Sequence, residues 1–330
     1  MASKSMQVFC YDKYGGGAAA LKKVEIPVPV PKKGEILAKV EAVSINPADW
    51  RIQNGIMRPF VPKFPCVPLS DVAGEVVSVG AGVDNFKTGD KIASHLVFTT
   101  GGGLAEYTVA PTSQTAKRPP EVSAVEAASL PMAAGTALKA LEAVGAMFDG
   151  TGKPFNVLIT AASGGVGQFT VQLAKLAGLH VTATCGARNI DLVKSLGADE
   201  VLDYRTPEGE TLKSVTGKMY DAVIHCSTVG IAWSVFAKNL NKKGKVIDLT
   251  PRFSSFATSA LQKITLSKKQ LVPFFSKIGY KDLEFLVGLV KDGKLKPVID
   301  SIHPFDKAPE AWAKSMEGHA TGKIIIEVEK

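Results

Sequence analysis

The stretch Val157-Leu-Ile-Thr-Ala-Ala-Ser-Gly-Gly-Val-Gly-Gln168 decides the fold. An apolar, strand-like run enters a glycine-rich turn and leaves it as a helix, with Val166, Phe169, Leu173 and Leu176 at helical spacing to form one buried stripe. Inside it stands Ala161-x-x-Gly164-x-x-Gly167, a variant of the dinucleotide fingerprint. Glycines let the backbone turn tightly and approach a pyrophosphate, while the helix N-terminus offers unpaired N–H groups and the positive end of its dipole. Phosphate is expected over Gly164, Gly165, Val166 and Gly167. A plain tight turn would need the same glycines, but the strand before, the helix after and four further strands favour a nucleotide.

Those further strands are His180–Cys185, Glu200–Leu202, Asp221–Cys226 and Lys245–Leu249, with room for helices between most pairs. Apolar strands alternating with amphipathic helices give an α/β domain with a doubly wound parallel sheet, expected over 130–275. Sites that bind NAD usually carry an acid at the tip of the second strand, where it holds the ribose 2′-hydroxyl. Here the tip reads Thr184-Cys-Gly-Ala-Arg-Asn189. It has no acid, and Arg188 can pair with a 2′-phosphate through its guanidinium fork, so NADPH is the expected cofactor. A solvated first-turn arginine is the alternative for Arg188.

Upstream, short β-type runs at Gln7–Cys10, Glu35–Val43, Val72–Val79 and Ala105–Val109 lie between Gly- and Pro-bearing stretches and read as a strand-rich domain. Pro27, Pro29 and Pro31 cannot donate ladder hydrogen bonds, so that segment is expected as an extended edge or crossing loop. Downstream, a helical pattern at Asp282–Val290 and a strand at Lys323–Val328 fit best on the first domain. The strand-rich domain is therefore expected over 1–129 and 276–330, with the nucleotide domain inserted.

Composition excludes several classes. The cysteines, Cys10, Cys66, Cys185 and Cys226, fit no C-x-x-C spacing, which argues for reduced thiols and against a disulfide framework. The longest apolar stretch, Ala127–Leu138, is broken by Ser129, Pro131 and Gly135 and is too short to span a bilayer. The first residues show no secretory leader. A net charge of +8 suits an anionic cofactor, an anionic membrane surface or nucleic acid, but the lysine pairs are scattered and a solvated surface explains them equally.

The chain resembles the zinc-free quinone oxidoreductase (ζ-crystallin-like) branch of the medium-chain dehydrogenase/reductase superfamily, in particular its plant chloroplast-envelope members. The resemblance spans essentially the whole chain, through Tyr14-Gly-Gly-Gly-Ala18, Asn46-Pro-Ala-Asp-Trp50, Asp71-Val-Ala-Gly-Glu75, Ala161–Gly167, Ala183-Thr-Cys-Gly-Ala-Arg-Asn189 and Gly318-His-Ala-Thr-Gly-Lys323. It implies a GroES-like catalytic domain plus a Rossmann domain with the cofactor in the cleft between them. It also implies NADPH-dependent reduction of quinones or α,β-unsaturated ketones and aldehydes. In zinc-containing relatives a Cys and a His hold the metal; the corresponding residues here are Asn46 and Ser70, and the cysteine-rich structural loop is missing, so no metal is expected.

Without a metal, hydride passes from the nicotinamide to an electrophilic carbon, and an enolate or quinol oxygen must be stabilised and protonated. The resemblance places Asn46, Thr136 and Lys323 at the nicotinamide end, Tyr204 by the 2′-phosphate, Ser163 and Gly186 on phosphates, and Cys185, Cys226 and Leu249 at cofactor-facing strand ends. Asn46 before Pro47 has a turn cap as its alternative. Asp49 pairs with a ribose, orients a neighbour, or begins a helix as its N-terminal acid. Trp50, Phe60, Phe64, His95 and Phe274 are the expected substrate walls, with ordinary core packing as the alternative. Tyr107 and His95 are the nearest candidates for proton donation.

Rival readings are a non-catalytic NADPH-binding sensor, an RNA-binding crystallin-like protein and a methyltransferase; scattered lysines without an RNA-binding aromatic motif, and Arg188 in place of an acid, weigh against them. No DNA partner is expected. The resemblance implies the chloroplast, with peripheral contact between the basic surface and an anionic inner-envelope membrane, whereas the short leader alone reads as cytoplasmic. A homodimer is the expected assembly, as the commonest closed one.

Overall fold

In the computed structural model, residues 4–58, 64–96 and 102–328 are described. The chain divides into two compact units, Met1–Gly135 with Ile278–Lys330, and Thr136–Lys277. Strands are numbered in chain order.

The first unit holds β1 (Ser5–Cys10), β2 (Lys22–Pro27), β3 (Glu35–Ile45), β4 (Asp71–Val79), β5 (Lys91–His95), β6 (Tyr107–Pro111), β7 (Thr115–Lys117), β14 (Ile299–Pro304) and β15 (Lys323–Glu327). Its main sheet runs β14-β15-β3-β4-β5-β7, with β6 also on β3. The pairings of β3, β4, β5 and β7 are antiparallel, and β14 runs parallel to β15. Among the described residues β2 pairs only with β1, and its last residue is Pro27, so the proline-rich segment lies at an edge where no ladder donor is needed. The core is built on β3 and β4, whose Ile36, Val40, Val43, Val72 and Val76 are buried together with Trp312 from the helix Ala308–Glu317. Trp312 donates its indole N–H to Gln53 Oε1 at 3.2 Å, and Gln53 donates to the Gly17 carbonyl at 3.0 Å. That relay ties the C-terminal helix to the helix Pro47–Gln53.

The second unit holds β8 (Asn156–Thr160), β9 (His180–Cys185), β10 (Glu200–Asp203), β11 (Tyr220–His225), β12 (Leu240–Asp248) and β13 (Gln270–Pro273), ordered β10-β9-β8-β11-β12-β13 and parallel throughout. Counted within the unit this is 3-2-1-4-5-6, the doubly wound order whose reversal, between β8 and β11, opens a crevice at the carboxyl ends of the strands. Thr160, His225 and Asp248 stand side by side on that edge. The helix Gly167–Leu176 follows β8 and buries Phe169, Val171 and Leu173 against the sheet.

Candidate functional site

In the first unit β3 delivers Ser44 and Asn46, β4 begins at Asp71, β5 ends at His95 and β15 begins at Lys323. In strand register Asp71 faces both Ser44 and His95. The Asp71 carboxylate is fully buried. Its Oδ2 accepts from Asn46 Nδ2 at 2.8 Å and Ser44 Oγ at 3.1 Å; its Oδ1 accepts from the Met132 N–H at 3.0 Å and lies 3.1 Å from His95 Nδ1. Met132 sits in the first turn of the helix Pro131–Ala143, where the dipole favours an anion. Burial alone would raise the Asp71 carboxyl, but the His95 hydrogen bond and the Lys323 charge outweigh it and hold the group below the usual carboxylate range.

Lys323 is buried as well. Its ammonium donates to Asn46 Oδ1 at 2.6 Å and to the Ile45 carbonyl at 3.4 Å, and it lies 3.9 Å from Asp71. Desolvation lowers its pKa, opposed by Asp71 and Asp49. The side chain of Asn46 is thus committed to Asp71 and Lys323 and caps no turn. Its backbone N–H instead donates to Asp49 Oδ2 at 2.7 Å, so Asp49 serves the helix start as an acid of the first turn. Burial pushes the Asp49 carboxyl up to about 7, with the nearby Asp71 charge adding to the rise and Lys323 opposing it.

Trp50 and Phe64 pack on the edge of the same core, Phe64 edge-on to Tyr11 and Tyr14. Phe60 lies outside the described residues. Tyr107 is a correction: the structure does not bring it to this cluster. It pairs in register with Lys39, and seven residues of strand at about 3.3 Å each separate Lys39 from Asn46. Its hydroxyl accepts from Lys4 at 3.2 Å, and its ring lines a groove of about 430 Å³ with Met6, Ile26, Pro27 and Val30.

In the second unit the turn after β8 has the geometry of a phosphate cradle. Ala161 adopts a left-handed φ of 50°, and the Gly164 N–H closes the turn on the Ala161 carbonyl at 3.0 Å. A Cβ on Gly167 would lie 2.2 Å from that carbonyl, so only glycine lets helix and strand approach this closely. Gly165 and Val166, just before the helix, have N–H groups without acceptors among the described residues. At the tip of β9, Asn189 donates to Ser163 Oγ at 3.0 Å, and Tyr204, about half exposed, lies against Gly186. Arg188 is exposed at the same tip, and the Arg205 guanidinium stacks 5.5 Å from the Tyr204 ring centroid. Donors for a pyrophosphate, with a guanidinium stacked on an aromatic ring nearby, fit a dinucleotide.

Cys185 is buried under the strand tip, so its side chain is withdrawn and only its backbone can contribute. Cys226 lies 3.8 Å from Thr170 Oγ1, and burial pushes its thiol up to about 12, which makes it no nucleophile at neutral pH. Leu249 and Phe274 are half-buried beyond β12 and β13, and Thr136 Oγ1 lies 2.9 Å from Ser276 Oγ. One network lay outside the sequence reading. Thr160 Oγ1 accepts from the Cys226 N–H at 3.1 Å and lies 2.9 Å from His225 Nδ1, while Asp248 accepts from Ser255 Oγ at 2.6 Å. Desolvation lowers the His225 pKa, with Asp248 opposing.

Two family models match the chain: an alcohol dehydrogenase GroES-like domain over residues 32–120 and a zinc-binding dehydrogenase over 196–326. The chloroplast envelope quinone oxidoreductase homolog of Arabidopsis thaliana is 61% identical over 329 residues, 99% of this chain and 100% of that one. The chain belongs to the quinone oxidoreductase branch of the medium-chain dehydrogenase/reductase superfamily. A chloroplastic NADPH-dependent alkenal/one oxidoreductase of the same plant is 31% identical over 338 residues, 98% of this chain and 80% of that one. The quinone oxidoreductase of Coxiella burnetii superposes with a TM-score of 0.87 at 29% identity, covering 99% of this chain and 100% of that one. A member of this medium-chain branch is an oxidoreductase, and its first and second units are the GroES-like and Rossmann-like parts of the fold.

Among the described residues no group of three or more His, Cys, Asp or Glu is arranged to hold a metal. Asn46 turns its side-chain oxygen to an ammonium, and Ser70 buries its hydroxyl without a partner.

Proposed function

We propose that the chain is a metal-free, NADPH-dependent reductase of activated carbon–carbon double bonds in α,β-unsaturated ketones and aldehydes, or of quinones. The observation that carries this reading is the tip of β9, where Tyr204 lies against Gly186 with Arg205 stacked on its ring, Arg188 is exposed and no carboxylate ends the strand. The relative that reduces alkenals and alkenones supports the substrate class.

The bound nicotinamide supplies the hydride. The chain's own groups would do the rest: the N–H groups of Gly165 and Val166 would bind the pyrophosphate, Arg188 and Arg205 would hold the 2′-phosphate, and Tyr204 would offer the adenosine its ring. Asn46 presents the nicotinamide end, held by Lys323 and Asp71. Trp50 and Phe64, on the edge of the first unit's core, give an apolar surface suited to a flat or long enone.

The names of the plant relatives support a chloroplast location. Among the described residues no helix is long and apolar enough to cross a membrane, so contact with an envelope would be peripheral, through the basic surface. The expected assembly is a homodimer.

The test follows reduced-nicotinamide absorbance with a panel of quinones and enones, using NADPH, NADH and the Arg188→Ala variant. Turnover that prefers NADPH, with KM for NADPH rising about tenfold or more in Arg188→Ala and KM for NADH little changed, supports the reading. NADPH binding without turnover of any acceptor would favour the sensor.

A further inference from the structure

Hydride transfer to an enone leaves an enolate, and its proton needs a source. Of the candidates raised from sequence, Tyr107 lies far along β3 and bonds to Lys4. Lys323 is buried and its ammonium is engaged with Asn46 and Ile45. His95 is placed differently. Its Nδ1 lies 3.1 Å from Asp71 Oδ1, and the carboxylate already accepts from Ser44, Asn46 and Met132. An ionised carboxylate only accepts, so Nδ1 carries the hydrogen. The ring is thereby fixed with Nε2 turned away from Asp71, and Nε2 has no hydrogen-bond partner among the described residues. The side chain keeps 10% of its surface, whereas that of Asp71 keeps none. This is a histidine locked by a buried acid with its second nitrogen left for a ligand, the arrangement that holds an imidazole ready for proton transfer.

The same carboxylate holds Asn46 on its other oxygen. Asp71 therefore sets Asn46 and His95 in one frame. The charged groups around it are Asp71 on β4, Lys323 on β15 and Asp49 on the helix after β3, while β7 brings the uncharged Thr115 against Ser94.

From this geometry we infer that His95 is the proton donor to the reduced substrate, with Asp71 as its positioning residue. The inference rests on the proposed reductase function. Hydride bonds to the β-carbon, the pair of the C=C bond moves toward the carbonyl, and the carbonyl π pair becomes the enolate oxygen. The Nε2–H bond of the imidazolium then breaks, its proton forms a C–H bond at the α-carbon, and the enolate returns to the ketone. With a quinone the proton goes to oxygen. The imidazole is left neutral, with Nδ1–H still on Asp71, and a solvent proton restores it.

The experiment compares wild type, His95→Gln and Asp71→Asn on an enone bearing an α-methyl group, reading the configuration at the α-carbon as well as the rate. Proton delivery by His95 gives one α-epimer in wild type. In His95→Gln the product should be epimerically mixed, kcat should fall about 100-fold, and NADPH affinity should stay within about twofold. Asp71→Asn should move the same readouts in the same direction. Nitrogen-15 NMR of the cofactor-free wild type gives a reading independent of turnover: Nδ1 of His95 should carry the hydrogen in wild type and lose that preference in Asp71→Asn. An active His95→Gln with unchanged rate, pH profile and α-configuration overturns His95 as donor. A wild type silent toward every enone and quinone overturns the reductase reading, and the donor with it. If His95→Gln does not fold, an Nδ1 unprotonated in wild type by NMR still overturns the proposal.

Discussion

The ammonium of Lys323 meets the side-chain oxygen of Asn46 at 2.6 Å across 277 residues of sequence, and the amide of the same Asn46 donates to Asp71. One asparagine thus sits between a buried cation and a buried anion. Replacing Lys323 with Met leaves the Asp71 carboxylate without its counter-charge, and removing one partner of a buried pair costs about 3–5 kcal/mol. Urea denaturation of Lys323→Met should show that loss; a midpoint equal to wild type would mean the cation does not support the cluster.

Asp49 gives the first unit a pH dependence of definite sign. Its carboxyl is pushed up to about 7 from 3.8, so the folded state holds a proton that the unfolded state has released. The group's stabilising contribution is complete below the unfolded value and is lost as pH rises through about 7. Asp49→Asn keeps an acceptor for the Asn46 N–H and removes this loss. Relative to wild type the variant should gain roughly 2–3 kcal/mol between pH 5 and pH 8, measured by denaturation at each pH. Parallel stability profiles would contradict it.

Two glycines of one turn should behave differently. A Cβ at Gly167 would press to 2.2 Å from the Ala161 carbonyl, while one at Gly164 meets the same oxygen at 3.3 Å. Gly167→Ala should cost about 2–4 kcal/mol and abolish NADPH binding, because helix and strand must part. Gly164→Ala should cost about 1 kcal/mol or less and weaken binding only moderately. Thermal melts and NADPH titration of both variants decide this, and equal losses would refute it.

Tyr107 lines a groove with Pro27 and accepts from Lys4, and its register partner is Lys39 rather than a residue of the Asp71 cluster. Tyr107→Phe should leave kcat within about twofold of wild type, since it deletes one exposed hydrogen bond. A drop of a hundredfold in steady-state turnover would return this hydroxyl to the chemistry.

The nucleotide-binding unit was the legible half of the sequence, because buried parallel strands and amphipathic helices have strong, distinct periods. Its missed strand, β13, is only Gln270–Pro273 and has one buried residue, too little for a pattern. Arg188 could be found from its place at a strand tip. Arg205 could not, because the approach of its neighbour Tyr204 to Gly186 depends on how β10 ends beside β9. Asp71 was visible only as part of a motif. A hint was present in Leu69-Ser-Asp-Val-Ala73, where an acid opens an otherwise apolar strand, yet its role comes from partners at 44, 46, 95, 132 and 323 that only tertiary structure collects. The same holds for His225, whose partners Thr160 and Asp248 lie on neighbouring strands.

The dependence of the Asp71 cluster on Lys323 also has a meaning in time. Synthesis runs from the N-terminus, and domains fold as units as they emerge. The strands bearing Asn46, Asp71 and His95 are made early, and the whole nucleotide-binding unit is made before β15. A nascent chain can therefore complete the glycine turn after β8 while the Asp71 cluster still lacks its cation. Assembly itself acts as a safety catch: a polypeptide truncated before β15 would keep the second unit without a finished Asp71 cluster.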